Sequence, residues 1–318
     1  HAPILQRVNK DKKVLSNNFE WIKTLANNNT FSIKSRLLYN ELPSSLLLVN
    51  GSTERISQQK IEWDATTGFR HKLLGMYITY NIGAAYKQQK IAQDNFYTSF
   101  NATYTQAQVY VLPSFSYITP SLRFNAGVSG ELLYRKSGSE SKPTFHIEPF
   151  VFANYRLTSR WNVNMLFSHA LSPNAFSSYI ESPIFTNYYS LMQGKAHLNN
   201  TTTNMLSNTW KYNDVIRGMF GNLGLSYSRT SNIMLYESVF EDGFYKSRAT
   251  DHTSCNSTTS ISGGIGKSIG WGKASIEFNA SASDNNYQLL IAKEVVDFTR
   301  RELSTGITIA YHPWNVFV

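Results

Sequence analysis

The sequence predicts an all-β protein, in the form of a transmembrane antiparallel β-barrel, and three observations carry that prediction. Apolar and polar residues alternate with a period of two along many segments, most about twice the ~5–6 residues of an ordinary strand. Tight turns alternate with longer polar connections. Aromatic residues reach 14% while charged residues make up only 16%, below the ~25% of typical soluble domains. No run of ~18 apolar residues occurs, so a helical membrane span is not expected.

Residues 1–18 read as an N-terminal connecting segment and 19–318 as the barrel region. The alternation predicts strands at about 19–27, 31–41, 60–71, 75–88, 99–112 with a continuation to 118, 121–136 and 144–157. Further strands follow at about 160–170, 203–213, 217–239, 245–268, 272–284 and 288–312, thirteen or fourteen in all. The first two can instead form a hairpin of a lid or plug.

The faces can be assigned residue by residue. In 121–135, Leu122, Phe124, Ala126, Val128, Leu132 and Tyr134 oppose Ser121, Arg123, Asn125, Ser129, Glu131 and Arg135, with Leu133 intruding on the polar side. In 144–157, Phe145, Ile147, Val151, Ala153 and Tyr155 oppose Thr144, His146, Glu148, Asn154 and Arg156. Near the end, Ile276 and Phe278 oppose Glu277 and Asn279. Successive side chains on a strand point to opposite faces, so each segment has one apolar and one polar side. A soluble sandwich alternates too, but these runs match the ~9–11 residues that a tilted strand needs to cross a bilayer. Lipid offers the backbone no partner, so such strands must close into a barrel.

Thr119-Pro120-Ser121, Thr158-Ser159 and Gly270-Trp271-Gly272 read as tight turns. Polar loops are expected at about 43–58, 88–98, 136–143, 171–200, 241–257 and 284–288. Short turns on one side and long loops on the other are the asymmetry of outer-membrane barrels. Tyr117, Tyr155, Trp161 and Trp271 flank the turns as an interfacial aromatic belt would. At the other end His312-Pro313-Trp314-Asn315 reads as one more turn without its following strand, which suggests an interior piece of a longer protein.

The repeated strand–turn–strand units carry a family resemblance. Ser116-Tyr117-Ile118-Thr119-Pro120-Ser121-Leu122-Arg123-Phe124 and Ala153-Asn154-Tyr155-Arg156-Leu157-Thr158-Ser159-Arg160-Trp161-Asn162 resemble the barrel of TonB-dependent outer-membrane receptors. The likeness is to the subgroup with a carboxypeptidase-regulatory-like N-terminal domain, and it covers the chain from about residue 19. It implies a ~22-stranded barrel in the bacterial outer membrane, closed by a separate plug domain. It also implies energised import of a large or scarce solute, with an inner-membrane energy-transducing complex as partner. Neither a plug sequence nor an energy-coupling box is visible in these residues. A structural or assembly subunit, bound to a surface lipoprotein or other outer-membrane proteins, is therefore the rival expectation. Outer-membrane lipid is a partner under both.

Candidate sites follow from the faces. Arg123, Glu131, Arg135, His146, Glu148, Arg156, Arg160 and Glu277 are expected to face the lumen, either to bind plug or solute or to pair with each other across strands. Phe176, Tyr179, Phe185, Tyr188 and Tyr189 lie in the loop 171–200, either to capture a ligand or to pack that loop onto the barrel mouth. Thirty Lys and Arg against twenty-one Asp and Glu give a net charge of +9, but the cations are scattered and no nucleic-acid partner is expected. The seven histidines stand singly in the chain and Cys255 is the only cysteine, so neither a zinc site nor another cofactor is expected. No catalytic motif is found, and the protein is not expected to be an enzyme.

Overall fold

In a computed structural model, residues 8–47, 53–94, 99–174, 176–187, 190–195, 197–241, 243–270, 274–291 and 293–311 are described. They form sixteen strands in one sheet. The strands are β1 (Val8–Lys10), β2 (Lys13–Thr24), β3 (Thr30–Leu47), β4 (Thr53–Leu73), β5 (Met76–Asp94), β6 (Ser99–Ile118), β7 (Leu122–Ser137) and β8 (Glu140–Arg156). After them come β9 (Trp161–Pro173), β10 (Ile184–Asn187), β11 (Ser190–Gln193), β12 (Asn200–Asp214), β13 (Met219–Glu241), β14 (Phe244–Ile269), β15 (Ala274–Ile291) and β16 (Glu294–Tyr311).

Thirteen of these strands are long, from 12 to 26 residues, and they match the order of the predicted segments. From β2 to β16 they form an antiparallel meander interrupted only by the short β10 and β11. The first two long strands belong to the same sheet, since β3 pairs with both β2 and β4. Residues 8–10 and 13–18, read as a connecting segment, are also in strands.

Turn chemistry explains the tight end. Thr119 takes the N–H of Leu122 on its hydroxyl at 2.9 Å while its own N–H reaches the Leu122 carbonyl at 2.7 Å. Thr158 Oγ1 accepts the N–H groups of Arg160 and Trp161 at 3.2 and 3.1 Å. The connection between β4 and β5 holds two residues, Leu74 and Gly75, both at positive φ (51° and 82°), as a tight hairpin with the twist of its strands requires. Trp161 and Tyr212 bring their rings together here, centroids 4.9 Å apart and tilted by 49°, with Trp161 and Tyr155 exposed. Trp271 and residues 312–318 lie outside the described residues.

The opposite end departs from expectation. Residues 43–47 and 53–58 continue β3 and β4, with Leu47 opposite Thr53, and 244–257 continue β14. Asp94 pairs with Ser99 and Ser137 with Glu140, so residues read as loops are hairpin ends. Residues 284–288 instead lie inside β15, whose hairpin with β16 ends at Ile291 and Glu294, within a run read as one strand. Beyond lipid both faces of a hairpin meet water and alternation is lost, yet Ser, Thr and Gln still fit a pleated ladder. Among the described residues, 174–199 alone remains a long connection, and it carries the 3-10 turn Phe176–Tyr179 with β10 and β11.

The outer face is apolar and bare: Ile82, Val109, Leu132, Phe145, Ile147, Ile265 and Phe278 are all exposed. So large a contiguous apolar surface fits lipid rather than water. The buried core lies on the inner face, where Ile91 and Tyr104 of the wall meet Tyr179, Ile180 and Leu198 of the long connection.

Candidate functional site

The inner face of the sheet is a polar belt that continues across strands. Alternation puts Ser129, Glu131, Leu133 and Arg135 of β7 on that face, beside Tyr104, Gln106, Gln108 and Tyr110 of β6 and His146 and Glu148 of β8. The β7–β8 register sets Glu131 opposite His146 and Ser129 opposite Glu148. Tyr104 donates to Gln106 at 3.0 Å, and Gln108 donates to Glu131 Oε2 at 2.6 Å. Ser129 donates to Glu131 Oε1 at 2.9 Å. His146 Nε2 lies 3.1 Å from Glu131 Oε2 and 3.3 Å from Glu148 Oε1. Thus histidines that stand singly in the chain do not stand singly in space: Glu131, His146 and Glu148 form a group with the composition of a metal-binding set.

Glu148 also marks a seam in the wall. The β8–β9 ladder runs only from Arg156–Asn162 to Phe150–Ser168, and above it the Leu171 N–H bonds the Glu148 carboxylate at 2.6 Å. The chain then leaves the wall as a strap, 174–199, that crosses the inner side. Arg135, fully buried, holds it: Nη1 donates to the Asn199 carbonyl at 3.0 Å and to Tyr179 Oη at 3.3 Å, and Nη2 to the Leu198 carbonyl at 3.4 Å. The Tyr179 ring stacks on Tyr104 with centroids 5.4 Å apart, and burial pushes its phenol above the ordinary range. Gln93 of β5 donates to the Pro183 carbonyl, and Glu140 of β8 accepts the Leu198 N–H. On the far side Tyr236 of β13 donates to Ser178, Lys195 pairs with Asp251 of β14 at 2.5 Å, and β11 runs parallel to β14.

The remaining candidates distribute as follows. Arg123 and Arg156 are exposed near the tight-turn end, and Glu277 is half-buried opposite Gly266 and Thr308. Arg160 lies in a turn rather than along a strand, and its Nε pairs with Asp214 Oδ2 at 3.1 Å. Tyr179 is a packing residue rather than an exposed ligand contact. Phe176 lies in the 3-10 turn and Phe185 in β10 opposite Leu191, while Tyr188 and Tyr189 fall outside the described residues. Tyr104, Gln108, Glu140 and Asp214 were not singled out from sequence. Gln106-x-Gln108 on one face of a strand was the one signal that could have found part of this belt.

No family model matches the sequence, and no curated protein matches it. Solved structures do. The copper transporter OprC superposes with a TM-score of 0.62 at 8% identity, over 92% of this chain and 53% of that one. The ferric citrate transporter FecA in its unliganded form gives 0.57 at 9% identity, over 94% and 50%. The pyoverdine outer membrane receptor FpvA from Pseudomonas aeruginosa PAO1 gives 0.55 at 9% identity, over 97% and 56%. The chain therefore spans about half the length of these proteins. At the level of fold, the resemblance to TonB-dependent outer-membrane receptor barrels holds, with the long antiparallel meander matching part of their barrel wall.

Proposed function

We propose that these residues form part of the wall of a bacterial outer-membrane barrel that imports a large or scarce solute in the manner of TonB-dependent receptors. The observation that carries this reading is the polar inner face of β6–β8, crossed by a strap, on a sheet whose outer face is bare and apolar. A wet, hydrogen-bonding lumen behind a lipid-facing exterior is what a solute path through a membrane requires. The fold shared with transporters and receptors supports the same reading. A plug domain and the inner-membrane energy-transducing complex are its partners. The bulk of the solute's contacts would come from inner-face polar groups and from the exposed hairpin ends, where the rings of Phe240 and Tyr245 lie 4.9 Å apart, tilted by 57°.

A second reading has one observation in its favour. The strap is fastened on both sides of the wall by Arg135 and by the β11–β14 pairing, a rigid arrangement suited to an assembly subunit that carries other outer-membrane proteins. Genetics in the native cell separates the two. For an importer, loss of the barrel and loss of the inner-membrane motor give the same growth defect on the limiting nutrient, and the double loss is no worse. For an assembly subunit, the barrel co-purifies with stoichiometric partners and loss of the motor leaves that complex intact.

A further inference from the structure

We propose that Glu131, His146 and Glu148 form an inward-facing site for a first-row divalent cation such as Zn2+, independent of whether the barrel imports anything. The three side chains project from neighbouring strands, β7 and β8, with ligand atoms all within 4.8 Å of one another. His146 is more than nine-tenths buried, at 8% side-chain exposure, and both carboxylates are largely covered, at 14% and 21%.

The orientation of the imidazole is the telling feature. Its Nε2 faces an oxygen of each glutamate at 3.1 and 3.3 Å, yet neither contact has the geometry of a hydrogen bond, and Nδ1 has no partner either. An oxygen that accepts from an N–H lies along the N–H direction. Oxygens that share a metal ion with the nitrogen lie well off that direction, on either side of the ion. A cation about 2.1 Å from each donor would see the nitrogen and the oxygens at roughly 95–105°, between octahedral and tetrahedral values.

The surroundings fit the same assignment. Gln108 and Ser129 donate to the two oxygens of Glu131, and the Leu171 N–H donates to Glu148, so both carboxylates are oriented by outer partners as ligands in metal sites are. Among the described residues no lysine or arginine pairs with either carboxylate. Arg135, the nearest cation along β7, gives its Nη hydrogen bonds to the strap. Two covered carboxylates beside an imidazole therefore make a site whose negative charge a bound divalent cation balances. One nitrogen and two oxygens suit zinc, manganese or cobalt better than calcium, and leave coordination positions open to the lumen.

The test uses the full protein, purified in detergent and stripped with chelator, then titrated with Zn2+ and with Co2+ as a visible substitute. One ion per chain is expected, with the Co2+ absorption of a four- or five-coordinate nitrogen–oxygen site. His146→Gln should weaken binding by about 100-fold or more, and Gln108→Leu, which removes an outer partner, by about 10-fold. If His146→Gln does not fold, Glu148→Gln keeps the side-chain shape and should lose the Co2+ spectrum on its own. Uptake that stays below one ion per chain, or a spectrum unchanged in the variant, would overturn the site and leave a protonated histidine held between two glutamates.

Discussion

Arg135 and Tyr179 meet on the inner side of the wall, 44 residues apart in the chain, with the guanidinium Nη1 3.3 Å from the phenol oxygen. The same guanidinium reaches the carbonyls of Asn199 and Leu198, so one buried cation fastens both ends of the strap. The aromatic stack of Tyr179 on Tyr104 covers it.

Replacing that cation should free the strap. Arg135→Gln leaves the buried Leu198 carbonyl without this donor, a cost of about 1–3 kcal/mol, while the Asn199 carbonyl keeps the Tyr179 hydroxyl at 3.2 Å. Limited proteolysis in detergent is expected to cut the variant first within 174–199, while the wall stays intact. Equal resistance in both proteins would show that β11–β14 pairing is enough to hold the strap.

Gly83 is required by the ring above it. A Cβ at this inner-face position would strike the ring and hydroxyl of Tyr110, whose Oη meets Thr66 Oγ1 at 2.5 Å. Gly83→Ala is expected to destabilise the folded barrel by about 1–3 kcal/mol through overpacking. Tyr110→Ala in the same chain should recover part of that loss, and urea unfolding of the single and double variants measures the coupling.

Asp214 ties two tight turns together, outside the lipid span. Its carboxylate accepts the Arg217 N–H at 3.1 Å, pairs with Arg160 Nε at 3.1 Å and accepts from Tyr212 at 3.3 Å. The Arg217 N–H first, then the Arg160 charge, hold it below its ordinary value of 3.8. Its contribution to stability is therefore complete above that value and disappears as pH falls through the depressed one. Asp214→Asn should lower the unfolding midpoint at pH 7, and the difference from the unaltered protein should shrink as pH falls below the ordinary carboxylate value of 3.8.

Phe278 tests which face meets lipid. It is 47% exposed on β15, opposite Ile265 and Ile307, while its neighbour Glu277 turns inward. Phe278→Arg at mid-span should cost about 2–4 kcal/mol and reduce assembly into bilayers, whereas Glu277→Gln should assemble normally. Folding yield into lipid vesicles, read from heat-modifiable gel migration, compares the two. A tolerated arginine at 278 would invert the assignment of faces.

Much of the fold was legible in the chain because lipid imposes a strict rule. Where a strand crosses the bilayer, one side must be apolar, and 121–135 and 144–157 display that as clean alternation. Thr119 and Thr158 likewise announce turns through hydroxyls placed to catch nearby N–H groups. The strand ends at 43–47 and 53–58 were not legible as strands, since no clean alternation survives there to mark them, whereas 245–257 were read both as strand and as loop and belong to β14.

Strand order, the tight turns, the lipid-facing side and the inward direction of Glu131, His146 and Glu148 follow from local spacing alone, because a strand's period of two needs no knowledge of its neighbours. That Glu131 lies opposite His146, that Leu171 bonds Glu148 across a split ladder, and that Arg135 holds Tyr179 depend on register and on the path of a 26-residue strap. Those contacts join residues between 15 and 44 positions apart, and only the register of the paired strands and the path of the strap bring them within reach.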